Sequence, residues 1–208
     1  QTDGKAFKIF LPDYKDKAFY LKYRIDNIGT VYNDVSEIYW TLPINDLPDS
    51  IENLKVIVSL KKKSNEFRVW AHGPLDGEVR NLNNTTLYAY VSNVGTYEND
   101  IDIRMVFDRS YFNSFAKQVN ALALDKILTY EEDQAAKANY EREQLHKKNV
   151  KQIEKDFISC NLNPNLSCYT ELERLVTNLM DGNEKDKFKS DLVALRIKAM
   201  EYETKEAH

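Results

Sequence analysis

The strongest constraint on this chain is a change of hydrophobic period close to residue 110. Up to that point apolar residues alternate with polar ones in short runs: Phe19, Leu21, Tyr23 and Ile25, then Leu54, Val56, Val58 and Leu60, then Leu87, Ala89 and Val91, then Ile101, Ile103, Met105 and Phe107. A period of two places one set of side chains on each face of a strand. Beyond residue 110 the spacing becomes helical. Leu172, Leu175, Val176 and Leu179 form an i, i+3, i+4, i+7 set, and Phe188, Leu192, Leu195, Ala199 and Tyr202 continue at helical spacing. Turn formers shift with the period, since five of the six glycines and four of the five prolines precede residue 110. The expected fold is therefore α+β. An antiparallel β-sandwich of eight or nine strands occupies residues 1–110. A helical region follows over residues 111–208, with a long helix and a helical hairpin, packed on or extending from the sandwich.

Taken in order, residues 7–10 form a short first strand and residues 19–25 a second. Residues 31–34 lead into a run of β-formers ending at Trp40, which Pro43 stops. Residues 44–53 read as a loop or one helical turn. Lys61, Lys62 and Lys63 follow the next strand; three solvated lysines on a turn bind an anion weakly, so they read as a hairpin loop. Phe67 and Val69 alternate with Arg68 and Trp70 and reach a tight segment, His72-Gly73-Pro74-Leu75-Asp76-Gly77, whose glycines and proline suit a hairpin turn. Turn signals recur at sandwich-like intervals, and no stretch offers a βαβ crossover, so antiparallel sheets are expected. Tyr111, Phe112 and Phe115 open a short helix. From residue 122 to 158 there is neither glycine nor proline. Leu124, Ile127, Leu128, Ala135, Ala138 and Leu145 make a sparse stripe there, with Asp133–Lys137 and Glu143–Lys147 as i,i+4 pairs.

Charge excludes some functions. The net charge of −4 is split evenly, with 14 basic and 16 acidic residues up to residue 110 and 15 and 17 beyond it. Neither half is a polycation, so no nucleic-acid partner is expected. No run approaches the roughly 20 apolar residues of a membrane span. Cys160 and Cys168 fit a disulfide closing a small loop in an oxidising compartment, the alternative being two free thiols at adjacent helix ends. No further Cys or His stands at ligand spacing, so no metal or other cofactor is expected. Glu98, Asp100 and Asp102 lack the glycine-containing loop of a calcium site.

His72 is the one candidate for catalysis, with Asp76 or Glu78 as its carboxylate, which is the hydrolase or cell-wall enzyme alternative. No nucleophile motif accompanies it. As a turn residue, His72 would instead hydrogen-bond the turn backbone. Trp40 shares a face with Ile38 and reads as core. Trp70 is opposite in phase to Phe67 and Val69, and with Tyr88 and Tyr90 it makes the candidate binding face. The competing reading is aromatic pairing on a covered face beneath the helices.

Several strings together resemble the N-terminal domain, of unknown function, of YciQ-type predicted bacterial membrane proteins. They are Tyr32-Asn33-Asp34-Val35 with Ile38-Tyr39-Trp40, the His72-Gly73-Pro74-Leu75-Asp76-Gly77 loop, and Arg104-Met105-Val106-Phe107. Leu124-Asp125-Lys126-Ile127-Leu128, Glu131-Glu132 and Ala138-Asn139 extend the likeness to roughly residues 5–145. The resemblance implies an ectodomain on the extracellular face of a bacterial membrane, anchored through a segment absent from this chain. It assigns no catalytic residues, and the expected partner is an unknown protein or cell-wall ligand. The cysteine loop and helical hairpin beyond about residue 148 depart from the pattern. The expected function is a non-catalytic binding or assembly module.

Overall fold

A computed structural model describes residues 18, 20, 22, 24–42, 44, 50–94, 100–112 and 116–206. Eight strands lie among them: β1 (Gly29–Val31), β2 (Val35–Leu42), β3 (Ile51–Ser59), β4 (Phe67–His72), β5 (Glu78–Asn83), β6 (Thr86–Val94), β7 (Ile101–Asp108) and β8 (Lys117–Gln118). One sheet runs β4-β7-β2-β1-β8 and the other β3-β6-β5. The expected strands at residues 7–10 and 19–25 fall wholly or partly outside the described residues, as do Pro43, Glu98 and Phe115.

The alternation read from the sequence sets the layers. In the larger sheet Ile38 pairs with Met105 and Trp40 with Ile103, while Val69 and Ala71 oppose the same two β7 residues from the other side. These side chains meet Leu87, Ala89 and Val91 of β6, and Leu87, Ile103 and Phe107 are fully buried. The Phe107 ring stacks on Phe67 at 5.7 Å and on Tyr111 at 4.5 Å. Rings of this size contribute most of a sandwich's buried area, so Trp40 packs against this core as its phase predicts.

Three expectations need correction. Pairing is antiparallel except where β1 meets β8 in parallel over Thr30↔Lys117 and Val31↔Gln118. The whole sandwich separates those two strands in sequence, so no local crossover signals them. Second, β3 and β4 belong to different sheets, so Lys61, Lys62 and Lys63 sit on an inter-sheet connection and not on a hairpin. There Lys62 Nζ donates to Ser110 O at 3.3 Å and lies 5.0 Å from the Tyr111 ring centre. Third, the short aromatic helix is a single 3₁₀ turn over Arg109–Tyr111, and Phe112 is extended. Its ring fills the space beside Gly29, where any Cβ would come within 2.8 Å of it.

The helices are α1 (Leu124–Leu162), α2 (Leu166–Thr177) and α3 (Asn183–Glu206). The 39 residues of α1 span roughly 58 Å at 1.5 Å per residue. Its first turns pack on the outer face of the larger sheet, where Ala123 and Ile127 meet Val35 and Val106, flanked by Tyr32, Trp70 and Leu124. Its last turns join α2 and α3 in a separate core of Ile153, Phe157, Leu172, Val176, Leu179, Phe188, Leu192 and Leu195. Leu145, placed on the expected stripe, is 46% exposed, because the middle of α1 touches neither core. Asn165 caps α2 by accepting the Cys168 amide at 2.9 Å. Cys160 and Cys168 are joined across the α1–α2 turn, with Cα atoms 5.9 Å apart.

Candidate functional site

The outer face of the larger sheet is defined by phase. Val35, Glu37, Tyr39 and Thr41 of β2, Val106, Arg104 and Asp102 of β7, and Arg68, Trp70 and His72 of β4 alternate with the core residues. An uncovered face of this kind would be solvated. Here α1 lies across it, so the charged residues in its middle must find partners inside the protein.

They find one another. Arg104 Nη1 donates to Glu131 Oε1 of α1 at 2.5 Å, and His72 Nε2 is 2.7 Å from Glu131 Oε2. The Glu131 side chain is only 2% exposed. On its other side Arg104 Nε lies 2.9 Å from Glu37 Oε1. That contact is off the hydrogen-bonding direction, so charge holds it. Glu37 Oε2 accepts the Tyr32 hydroxyl at 3.0 Å. The guanidinium is sandwiched by two rings, Tyr39 at 4.6 Å and Tyr130 at 4.9 Å, an arrangement that suits a planar, weakly hydrated cation. Asp102 accepts from the Tyr39 hydroxyl at 2.7 Å and the Thr41 hydroxyl at 2.6 Å. Burial first, then the bond to Asp102, pushes the Tyr39 hydroxyl well above its ordinary pKa, which keeps it a donor.

The loop after β4 is pinned to the same helix. Gly77 N donates to Pro74 O at 3.0 Å, closing a tight turn, and Arg142 Nε donates to Leu75 O at 2.7 Å. Because β4 and β5 lie in different sheets, this turn carries the chain from one sheet to the other. The expected hairpin is thus a sheet-to-sheet turn. His72 bonds Glu131, not the turn backbone. Neither proposed carboxylate serves it: Asp76 accepts the Ser92 hydroxyl at 2.9 Å, and Glu78 faces Arg80 at 4.0 Å.

A cleft of about 400 Å³ opens between this turn, the edge strands β4 and β5, and residues 131–142 of α1. Its floor is apolar, with Leu54, Val56, Val79, Val91 and Ile101 from the sandwich interior; Gln134, Lys137 and Glu141 form its helical wall. Trp70, His72 and Tyr90 all border it. Tyr88 does not. It stacks with Tyr90 at 6.4 Å on the outer face of the smaller sheet, beneath Arg80 at 5.1 Å, whereas Trp70 packs under α1. The three candidate aromatics therefore do not share one surface.

Among the described residues no serine, threonine or cysteine lines the cleft. Among the described residues no group of three or more metal-ligating side chains is assembled, and no helix is long and apolar enough to cross a membrane.

Glu37, Arg104 and Glu131 were not singled out from the sequence as site residues. A signal existed: Glu131 stands four residues after Ile127, inside the apolar stripe, where a carboxylate is buried with the stripe. Glu37 and Arg104 occupy the strand phase opposite to the core, which looks like solvent until α1 covers it.

A family described as predicted membrane protein (DUF2207) N-terminal domain matches residues 1–107. No curated protein and no solved structure matches the chain.

Proposed function

Since the chain belongs to the family of predicted membrane protein (DUF2207) N-terminal domains, we propose that it is a non-catalytic extracytoplasmic module that binds a protein or cell-wall ligand for a membrane-anchored bacterial protein. One observation carries the reading. The charged groups that resemble a catalytic cluster are paired with one another across the sheet–helix junction, while the cleft beside them stays open and, among the described residues, has no serine, threonine or cysteine on its wall. A cleft of this size, with an apolar floor and a few polar side chains, is the ordinary form of a ligand site. Trp70, His72 and Tyr90 are the contacts assigned to the ligand. Tyr88 is assigned to a separate surface.

The Glu131–His72 pair favours a second reading as an extracytoplasmic hydrolase. A carboxylate that orients an imidazole is half of a general-base arrangement, and His72 stands at the cleft with its side chain 24% exposed. The missing half is a nucleophile. A water activated by His72 is the form that reading takes.

Soluble peptidoglycan fragments titrated into the chain, followed by tryptophan fluorescence and by product analysis, separate the two. Binding without turnover, weakened in Trp70→Ala, supports the module. Turnover that disappears in His72→Gln supports the hydrolase and overturns the module. For the location, protease added to intact cells expressing the full-length protein should cut this domain; protection until lysis would refute the extracytoplasmic placement.

A further inference from the structure

We propose that the helical end of the chain pairs with a second copy of itself, α3 against α3 in antiparallel orientation. The motivating feature is a stripe on the far side of α3. Val193, Ile197 and Met200 are 66%, 57% and 53% exposed, and they follow one another at i, i+4 and i+7. Ile197 lies about half a turn from the set Phe188, Leu192, Leu195 and Ala199 that faces the bundle core. Scattered exposed apolar residues need no explanation. Three in heptad register do, because that spacing forms the seam of a paired helix. Asp186, Ser190 and Thr204 continue the same seam toward both ends.

Charge selects the occupant. Beside the seam, the first part of α3 carries Lys187, Lys189 and Arg196, and its last turns carry Glu201 and Glu203. A parallel copy would join only Arg196 to Glu201 across the seam and would leave Lys187 and Lys189 without an acidic partner. An antiparallel copy lays Val193 against Ile197 and Ser190 against Met200 of the second molecule. The same register brings Lys187 toward Glu201 and Lys189 toward Glu203, each twice, as two-fold symmetry requires. Arg196 would lie near its own copy across the axis, beside a hollow that Glu173 and Tyr169 of its own chain also line. The seam from residue 186 to 204 is roughly 28 Å long at 1.5 Å per residue. A contact of that length stands at the small end of specific interfaces, so pairing should depend on concentration.

The proposal is independent of the cleft. Sedimentation equilibrium of the full chain with its disulfide intact tests it. The wild-type protein should shift from monomer to dimer mass as concentration rises, and Ile197→Glu should stay monomeric with an unchanged helical circular dichroism signal. Lys187→Glu should also be monomeric, and adding Glu201→Lys to it should restore the dimer, because the reversed pair is again complementary. A wild-type monomer at the highest soluble concentration would overturn the proposal. So would a dimer that survives Ile197→Glu, or a well-folded double variant that fails to recover.

Discussion

Replacing Glu131 tests whether the outer-face cluster holds α1 to the sheet. In Glu131→Ala, Arg104 loses its 2.5 Å partner and His72 its 2.7 Å partner. Breaking a buried ion pair by removing one member costs about 3–5 kcal/mol. Two features of the site pull the figure to the lower end. Arg104 keeps Glu37 at 2.9 Å, and His72, 24% exposed, can turn to water. The expected loss is about 3 kcal/mol for alanine, and about 1–2 kcal/mol for glutamine, which keeps the shape and an acceptor but not the charge. For a chain of this size that corresponds to roughly 6–12 °C in midpoint for the alanine variant. Urea unfolding gives the magnitude and amide hydrogen exchange the location. Protection should fall over residues 124–142 and persist over the helical core built on Ile153, Phe157 and Leu195. Glu132→Ala, at the exposed neighbouring position, is the control. A loss at residue 131 within about 0.5 kcal/mol of that control, the range of ordinary surface substitutions, would refute the assignment of the cluster as the junction's anchor.

Three further outcomes follow from the same geometry. Asp34 accepts the amides of Ala123 at 3.0 Å and Leu124 at 2.9 Å; burial pushes its carboxyl up, but those amides, with its own and that of Val35, outweigh this and hold its pKa below the ordinary value. A depressed carboxylate pKa adds stability that is complete above the unfolded value of about 3.9 and is lost as pH falls through the folded value. Asp34→Asn should therefore cost about 1 kcal/mol at neutral pH, and the difference from wild type in urea midpoint should shrink toward zero at pH values well below 4. Reduction with dithiothreitol opens the Cys160–Cys168 loop, whose sequence separation is 8; the chain-entropy estimate of about 2–3 kcal/mol should appear in calorimetry of the helical bundle and leave the exchange protection of β2 and β7 unchanged. A chain ended at residue 110 should be less stable and more prone to aggregate than one ended at residue 145, because only the longer one covers the outer face of the larger sheet.

The sandwich was legible because its signal is local. Ile101, Ile103, Met105 and Phe107 alternate within one strand, and every one of them is buried. Sheet membership was not legible. The segments holding Lys62 and Pro74 have hairpin composition, yet each joins strands of different sheets, and only the packing of Val69 and Val79 against one shared core decides that. The site was harder still. His72 stood out by its loop, but its partner lies 59 residues away on another element, and Asp76, the partner that adjacency suggested, turns to Ser92. A carboxylate whose neighbours are fixed only by tertiary packing carries no spacing rule that a single sequence can reveal.

The strings that carry the family resemblance acquire a common physical meaning at this junction. Tyr32 donates to Glu37, Asp34 caps the start of α1, Tyr39 stacks on Arg104, His72 and Leu75 are bonded from α1, and Arg104 reaches Glu131. These residues come from four separate stretches, and the polar side chains among them point away from the sandwich core. The family match ends at residue 107, but these bonds extend to Ala121, Leu124, Glu131 and Arg142. A sheet face built around a partly buried arginine and two buried carboxylates is costly to leave uncovered or unpaired. The first five turns of α1 therefore belong physically to the sandwich. The strings hold that helix in place, and the cleft exists because α1 is held there, with its wall formed by the turns after Glu131.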